Sequence, residues 1–243
     1  MIKMLEELSL NAWAPLQTMM YDGWVLRFAN GYTKRANSIN ALYEGKKDTD
    51  LKIAQCEKLY YGKNLKSVFK ITPEVLPEKL DAVLEGRGYV AVDYTSVQTV
   101  SLEAIGGELP AGLKVFDEVN EAWISNFVTL NKVPEKDIST MMAMLHNIVP
   151  KKFLVYLEDN GCVAACGLGV LEGRHIGLFD IVTHQEKRRM GYGEKLVKGI
   201  MQLGKMHGAD IAYLQVVANN NPALELYNKL GFREAYTYWY RVK

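Results

Sequence analysis

Two arginines and two glycines, in the run Arg188-Arg189-Met190-Gly191-Tyr192-Gly193, have the types and spacing to bind phosphate. Glycines let a backbone pass close to an anion, and the first turn of a helix offers unpaired N–H groups at the positive end of its dipole. Guanidinium groups at the same place add charge-assisted donors. Such a run works when a strand leads into it and a helix leaves it. Here Ile176 to Thr183 is strand-like and Tyr192 to His207 is helix-like. Taken alone, the run fits equally a tight strand-to-helix turn with solvated arginines.

A second segment, Asn219-Asn220-Asn221-Pro222-Ala223-Leu224-Glu225-Leu226-Tyr227-Asn228-Lys229-Leu230-Gly231-Phe232, follows the strand-like run Ile211 to Val217. Asn221 is placed to cap a helix over 222–230, with Pro222 at its first position. Gly231 suits the left-handed residue after the helix, and Phe232 can pack back on the last turn. Tyr227 lies one turn after Ala223 on the same helix face. A tyrosine is neutral and protonated at pH 7, so it can give a proton. It can equally be an interface side chain with its hydroxyl tied to backbone.

The two segments, in this order and at this spacing, resemble the GNAT superfamily of acetyl-CoA-dependent acyltransferases. Members pair an R/Q-x-x-G-x-G/A turn with a later N-x-x-A-x-x-x-Y-x-x-x-G-F segment. The resemblance covers roughly residues 112–243. It implies a mixed α/β fold and acetyl-CoA as co-substrate. It also implies a cofactor arm bonded like an added strand to the backbone of Ile181, Val182 and Thr183. The pyrophosphate would meet amides from Arg188, Arg189, Met190, Gly191, Tyr192, Gly193 and Glu194. Helix-end interactions are each worth roughly 0.3–2 kcal/mol, and several together reach micromolar binding, about −8 kcal/mol. Asn220 matches the family asparagine that binds the arm, with a turn or cap role as its alternative. Tyr227 matches the family's general-acid tyrosine.

The implied reaction is attack of an amine on a thioester. A primary amine is protonated at neutral pH, so a base or a water chain must take a proton. Asp180 lies two residues before Val182 and should face the same side of the strand. Glu172 and His175 flank the preceding turn, and His184 lies just past the strand end. Asp180 is the expected base, against the reading of any one of these as a surface or structural group.

Composition sets the wider bounds. The chain has 243 residues, 49% hydrophobic and 23% charged, as in ordinary folded proteins. The 29 basic and 28 acidic residues leave a net charge of +1, so a nucleic-acid partner is not expected. No apolar run is long enough for a membrane span, and the N-terminal residues do not read as a signal peptide. A cytoplasmic protein is expected. Cys162 and Cys166, with Cys56, are expected to be buried thiols, because a lone C-x-x-x-C pair is a poor zinc site. No metal is expected. Gly191-Tyr192-Gly193-Glu194-Lys195 is not a nucleotide P-loop, and Leu196 stands where a dinucleotide fold wants a glycine.

The elements that must position these residues fall into two stretches, 1–105 and 112–243, joined by the Gly- and Pro-rich run 106–112. In the second, strands are expected at 113–119, 153–158, 163–171, 176–183, 211–217 and 234–242. Helices are expected at 120–131, 134–148, 192–207 and 222–230. The first reads as a degenerate copy. Aligning Gly88-Tyr89 with Gly231-Phe232 gives an offset of 143 that matches strand 67–72, helix 78–85 and strand 90–102 to their counterparts. Trp24 to Asn30 and Arg35 to Leu42 read as a hairpin and Asp50 to Tyr61 as a helix, but no G-x-G turn precedes that helix. Leu84 stands where Tyr227 does. The alternative is an unrelated α+β unit with a similar ending.

The expectation is therefore a tandem GNAT-like chain with one working site in its second half, acting as an N-acetyltransferase on an unknown amine. The rival is an acyl-CoA-binding protein without turnover, and O-acylation also stays open. Trp13, Tyr21, Trp24 and Tyr32 are expected mostly in the core, with one or two free to line an acceptor pocket. Tyr236, Tyr238 and Tyr240 share one face of the last strand. That face could pack on a helix, line the acceptor groove or form a homodimer contact.

Overall fold

Patterns of period two and period 3.6 alternate along the chain. The computed structural model, which describes residues 1–243, turns them into eleven strands and seven helices. In chain order these are α1 (Ile2–Ala12), β1 (Gln17–Tyr21), β2 (Trp24–Phe28), β3 (Ile39–Ala41), α2 (Thr49–Tyr61), β4 (Val68–Ile71), α3 (Leu80–Gly86), β5 (Val90–Ser101) and β6 (Leu113–Phe116). There follow α4 (Glu121–Asn131), α5 (Glu135–His146), β7 (Lys151–Asp159), β8 (Cys162–Glu172), β9 (His175–Thr183), α6 (Tyr192–Met206), β10 (Ile211–Val217), α7 (Asn221–Lys229) and β11 (Arg233–Val242). No helix is long and apolar enough to cross a membrane.

All eleven strands belong to one sheet, ordered β1-β2-β3-β4-β11-β5-β10-β9-β8-β7-β6. The order contains a repeat. In the first half β2 and β3 are antiparallel, β3 and β4 parallel, with α2 between the parallel pair. In the second, β8 and β9 are antiparallel, β9 and β10 parallel, with α6 between them. Each half then has a further helix and a final strand, and these final strands are exchanged. β11 pairs with β4 and β5, while β5 pairs with β11 and β10. Each half's last strand thus lies inside the other half's part of the sheet, a tandem fold closed by reciprocal strand exchange.

Three apolar clusters fill the layers. One lies under α6 and α7, built on Leu196, Ile200, Leu214 and Phe232. Another packs α2 and α3 onto the first-half strands through Trp24, Phe69 and Leu84. The third gathers α1, α4 and α5 around Trp123, Phe127, Phe179 and the tyrosine face of β11. That face therefore packs on a helix of its own chain. Tyr236 Oη donates to Glu6 Oε1 at 2.5 Å, and Lys70 Nζ lies 2.6 Å from Glu6 Oε2. Of the cysteines, Cys56 and Cys166 are buried, whereas Cys162 is exposed. Cys162 starts β8 opposite Asp159, beside the Asn160-Gly161 turn at the tip of the β7–β8 hairpin.

Candidate active site

The site begins with a break in strand pairing. β9 and β10 run parallel from His175 and Ile211 as far as Leu178 and Leu214, and there the pairing ends. At the next turn of the strand Asp180 adopts φ +53°, and the β8–β9 register shifts between Cys166 and Leu168. Leu178 and Ile181 pack into the cluster beneath α6, whereas Phe179 and Val182 pack into the opposite one. Asp180 is thus the extra residue of a β-bulge, which bends its strand. Val182 and Thr183 stay paired to β8 on one side. Their other edge has no partner strand and opens into a gap between β9 and β10.

Beyond the gap the chain forms a turn with the geometry to hold an anion. Arg189 (φ +65°) and Gly191 (φ +84°) are left-handed, and Gly191 starts α6 without a side-chain cap. The amides of Arg189, Met190, Gly191, Tyr192, Gly193 and Glu194 donate to no other backbone group. Left- and right-handed residues in alternation make a concave nest of N–H groups, and the α6 dipole points into it. Gly193 is needed for closeness: a Cβ there would lie 3.1 Å from Thr183 Oγ1. The guanidinium groups of Arg188 and Arg189 are exposed and make no ion pair.

Gap and nest form one cleft of about 860 Å³. Ile181, Val182, Thr183, Arg188, Arg189, Gly191, Tyr192, Gly193, Glu194, Asn220 and Tyr227 all line it. Two expected residues do not. The Met190 side chain points to solvent, and Asp180 lies on the other side of the strand, by Tyr32 and Arg35. Sequence reading missed Lys187, Glu225, Leu226 and Lys229, which also line the cleft. Helical spacing carried a signal for two of them, since Pro222, Leu226 and Lys229 follow the i, i+4, i+7 stripe next to Ala223 and Tyr227.

Tyr227 is 8% exposed and meets Phe232 edge-on, with ring centroids 5.8 Å apart. Its hydroxyl makes no hydrogen bond within the chain, so the expected alternative of a backbone-tied hydroxyl is not what is seen. Burial pushes its pKa up to about 12. Asn220, rather than Asn221, caps α7: its Oδ1 accepts from Ala223 N at 3.4 Å, and Pro222 moves to the second helical position. The frame shifts by one because Asn220 N donates to Val217 O and ends the preceding turn there.

The base candidates separate by position. Glu172 and His175 pair at the start of β9, roughly 20 Å from Ile181 at 3.3 Å per residue. Glu172 accepts instead from Asn11 Nδ2 at 3.0 Å. His184 Nδ1 accepts from Glu186 N, capping the 3-10 turn that follows β9. Asp180 remains, with its Oδ2 buried and without a partner. Burial raises its pKa to about 7, against the pull of Arg35.

The equivalent region of the first half is closed by the chain itself. Asp48 Oδ1 accepts from Asp50 N and Leu51 N at 3.0 and 3.1 Å, so a carboxylate already fills the helix start that α6 leaves open. Leu76 N donates to Ala41 O at 2.9 Å, joining the edge of β3 to a loop. Leu84 is fully buried.

A family model described as "Probable histone acetyltransferase Rv0428c C-terminal" matches residues 1–241. The Bacillus subtilis (strain 168) protein described as "Uncharacterized N-acetyltransferase YobR" is 27% identical over 247 residues, spanning 100% of this chain and 98% of its own. A GCN5-related N-acetyltransferase from Kribbella flavida superposes with a TM-score of 0.71 at 15% identity, over 99% of this chain and 95% of its own. A tandem GNAT protein from the clavulanic acid biosynthesis pathway gives 0.65 at 13% identity, over 98% and 87%. At these identities the solved structures speak for the fold, and the last for its doubling.

Proposed function

The chain belongs to the GNAT superfamily, in the family whose model spans residues 1–241, and is an N-acetyltransferase of that type; from that premise we propose that it moves an acetyl group from acetyl-CoA to a primary amine by direct attack. The observation that carries this reading is the meeting, in one cleft, of an unpaired strand edge, a nest of free amides and a tyrosine hydroxyl without a partner.

The residues fit the co-substrate. The edge of Ile181, Val182 and Thr183 offers backbone groups to an extended amide-bearing arm, as a neighbouring strand would. The nest from Arg189 to Glu194 offers amides to a pyrophosphate, with Arg188 and Arg189 supplying charge; the Arg188 amide, expected to join them, instead donates to Gln185 O. When bound, acetyl-CoA supplies a thioester whose acyl carbon forms the new C–N bond as its C–S bond breaks.

Two residues manage the protons. Asp180, with a pKa near 7, takes a proton from the incoming ammonium, which frees the nitrogen lone pair. Tyr227 is protonated throughout the neutral range and gives its proton to the departing sulfur. Across the reaction nitrogen loses two protons, sulfur gains one, and one is released. Asn220 holds the start of α7, which sets Ala223 and Tyr227 against the cleft.

Calorimetric titration of acetyl-CoA onto the wild type and Gly191→Glu tests this reading, together with amine-dependent release of the CoA thiol. Space is open at Gly191, so the variant adds a carboxylate at the anion nest; a melting curve checks that its positive φ has not cost the fold. Micromolar binding lost in the variant, with amine-dependent thiol release by the wild type, supports the proposal. Binding without release under any amine leaves an acyl-CoA-binding protein.

A further inference from the structure

Opposite the cleft, on the other side of the β9 bulge, three polar side chains with unpaired atoms come together from both halves. Asp180 brings a carboxyl whose Oδ2 is buried and unpaired. Arg35, from the turn after β2, brings a guanidinium whose Nε is buried and unpaired. Tyr32 brings a half-buried hydroxyl that makes no hydrogen bond.

Aromatic packing fixes the arrangement. The Arg35 guanidinium lies over the Trp13 ring, 5.7 Å from its centroid. Trp13 in turn stacks on Phe179, with centroids 6.1 Å apart and planes 23° from parallel. Phe179 immediately precedes Asp180. Arg35 and Asp180 act on each other electrostatically, yet no ion pair joins them, which leaves a gap of more than 4 Å between their charged atoms. The other groups facing this gap are Tyr238 and Tyr240 beside Arg35, and Asp137 of α5 beside Tyr32.

Neighbouring Arg27 shows what a structural arginine looks like in this fold. Its guanidinium donates to three carbonyls, of Arg35, Leu10 and Trp13. Arg35 has no such set. A buried N–H without a partner, as at Arg35 Nε, is costly to keep unless a ligand pairs with it. A planar fork of donors matches a carboxylate bidentately. A carboxylate on Arg35 and an ammonium on Asp180, carried by one molecule, would pair with both.

Resting on the acyl-transfer reading above, we propose that the acceptor is an amine with a carboxylate close to its nitrogen, an α-amino acid being the simplest case. In this proposal Arg35 of the first half binds the carboxylate. The first half then has a task in the reaction: it brings the specificity residue to a site whose chemistry lies in the second.

Matched pairs of amines, with and without the carboxylate, test this: L-phenylalanine against phenethylamine, L-leucine against 3-methylbutylamine, β-alanine against ethylamine. Thiol release from acetyl-CoA gives kcat/KM for each, and calorimetry on the CoA-saturated protein gives binding of each amine. The wild type should favour a carboxylate member by at least ~10-fold, the loss expected when a buried polar group is left unpaired. Arg35→Gln should remove that preference by cutting kcat/KM and binding of the carboxylate member far more than those of its decarboxylated partner, while acetyl-CoA affinity stays unchanged. Because Arg35 also pulls the Asp180 pKa down, both members are compared on the rate plateau above the acid limb. Arg35→Lys should fall between, keeping charge without the fork. Equal use of both members, or a preference that survives Arg35→Gln, overturns the proposal, as does acetyl-CoA binding with turnover of no pair. Failure to bind acetyl-CoA would instead remove the donor reading on which it rests.

Discussion

Lys229 Nζ, at the end of α7, lies 2.5 Å from Glu194 Oε2, in the first turn of α6, and both residues line the cleft between α6 and α7. Glu194 also meets Lys198 at 2.9 Å. These two lysines hold its carboxyl below the usual range. A lone carboxylate beside free amides would compete with an incoming pyrophosphate, so its neutralisation matters more for binding than for folding. Lys229→Ala should weaken acetyl-CoA three- to tenfold, or about 0.7–1.4 kcal/mol, by calorimetry. Lys229 is 67% exposed, and exposed pairs add little stability, so the melting temperature should hardly change. Added salt should shrink the difference.

Tyr227→Phe separates acid catalysis from packing. The hydroxyl has no partner in the chain and the ring contact with Phe232 is kept, so folding and acetyl-CoA affinity should stay as in the wild type. If the hydroxyl protonates the leaving sulfur, kcat should drop at least ~10-fold and up to the hundredfold range of general acids. Unchanged turnover would take Tyr227 out of that role.

The Asp180 carboxyl should set the acid limb of the rate profile. A base must be ionised, so kcat/KM should fall as pH drops through about 7. Asp180→Asn should abolish that limb and cost about a hundredfold or more in rate. Stability should move the other way. Burial raises the folded pKa above that of the unfolded chain, so the native state keeps its proton longer. The stability tied to this group is complete below the ordinary carboxylate range and is lost as pH rises toward 7. Asp180→Asn should therefore melt higher than the wild type at pH 8, with the gap closing toward pH 4.

How much of this could be read beforehand depended on whether the signal was local. The shape of the Gly191 turn was legible, because glycine at positive φ and a helix start leave a local pattern. So was the C-terminal end of α7, where Gly231 takes φ +88° and Phe232 N donates to Tyr227 O. Helix α1 was not read: its buried face includes Glu6 and Ser9, which break the apolar period. Strand β1 was missed because it is an exposed edge without alternation. The Asp180 bulge could not be read either, since an aspartate at φ +53° gives no sign of it in sequence. Asp180 and Val182 do share a side of the strand, through the inserted residue and not by simple alternation, but that side faces away from the cleft lining. Reciprocal strand exchange is a long-range pairing choice that local patterns do not encode.

That exchange makes the two halves inseparable in a way that can be measured. β5, of 12 residues, has β11 on one side and β10 on the other, and pairs with no strand of its own half. A fragment of residues 1–105 therefore carries a long strand whose partners are all elsewhere. A fragment of residues 106–243 has lost the strand that lies between its own β10 and β11. Each would expose unpaired backbone and the apolar side chains that β5 and β11 bury, a state prone to aggregation. Neither fragment alone should give a cooperative thermal transition or bind acetyl-CoA, although the second contains the whole cleft. Co-expressed, they should form a one-to-one complex that recovers both properties. Acetyl-CoA binding at full affinity by residues 106–243 alone would show that the exchanged strand is dispensable and that the halves are independent domains.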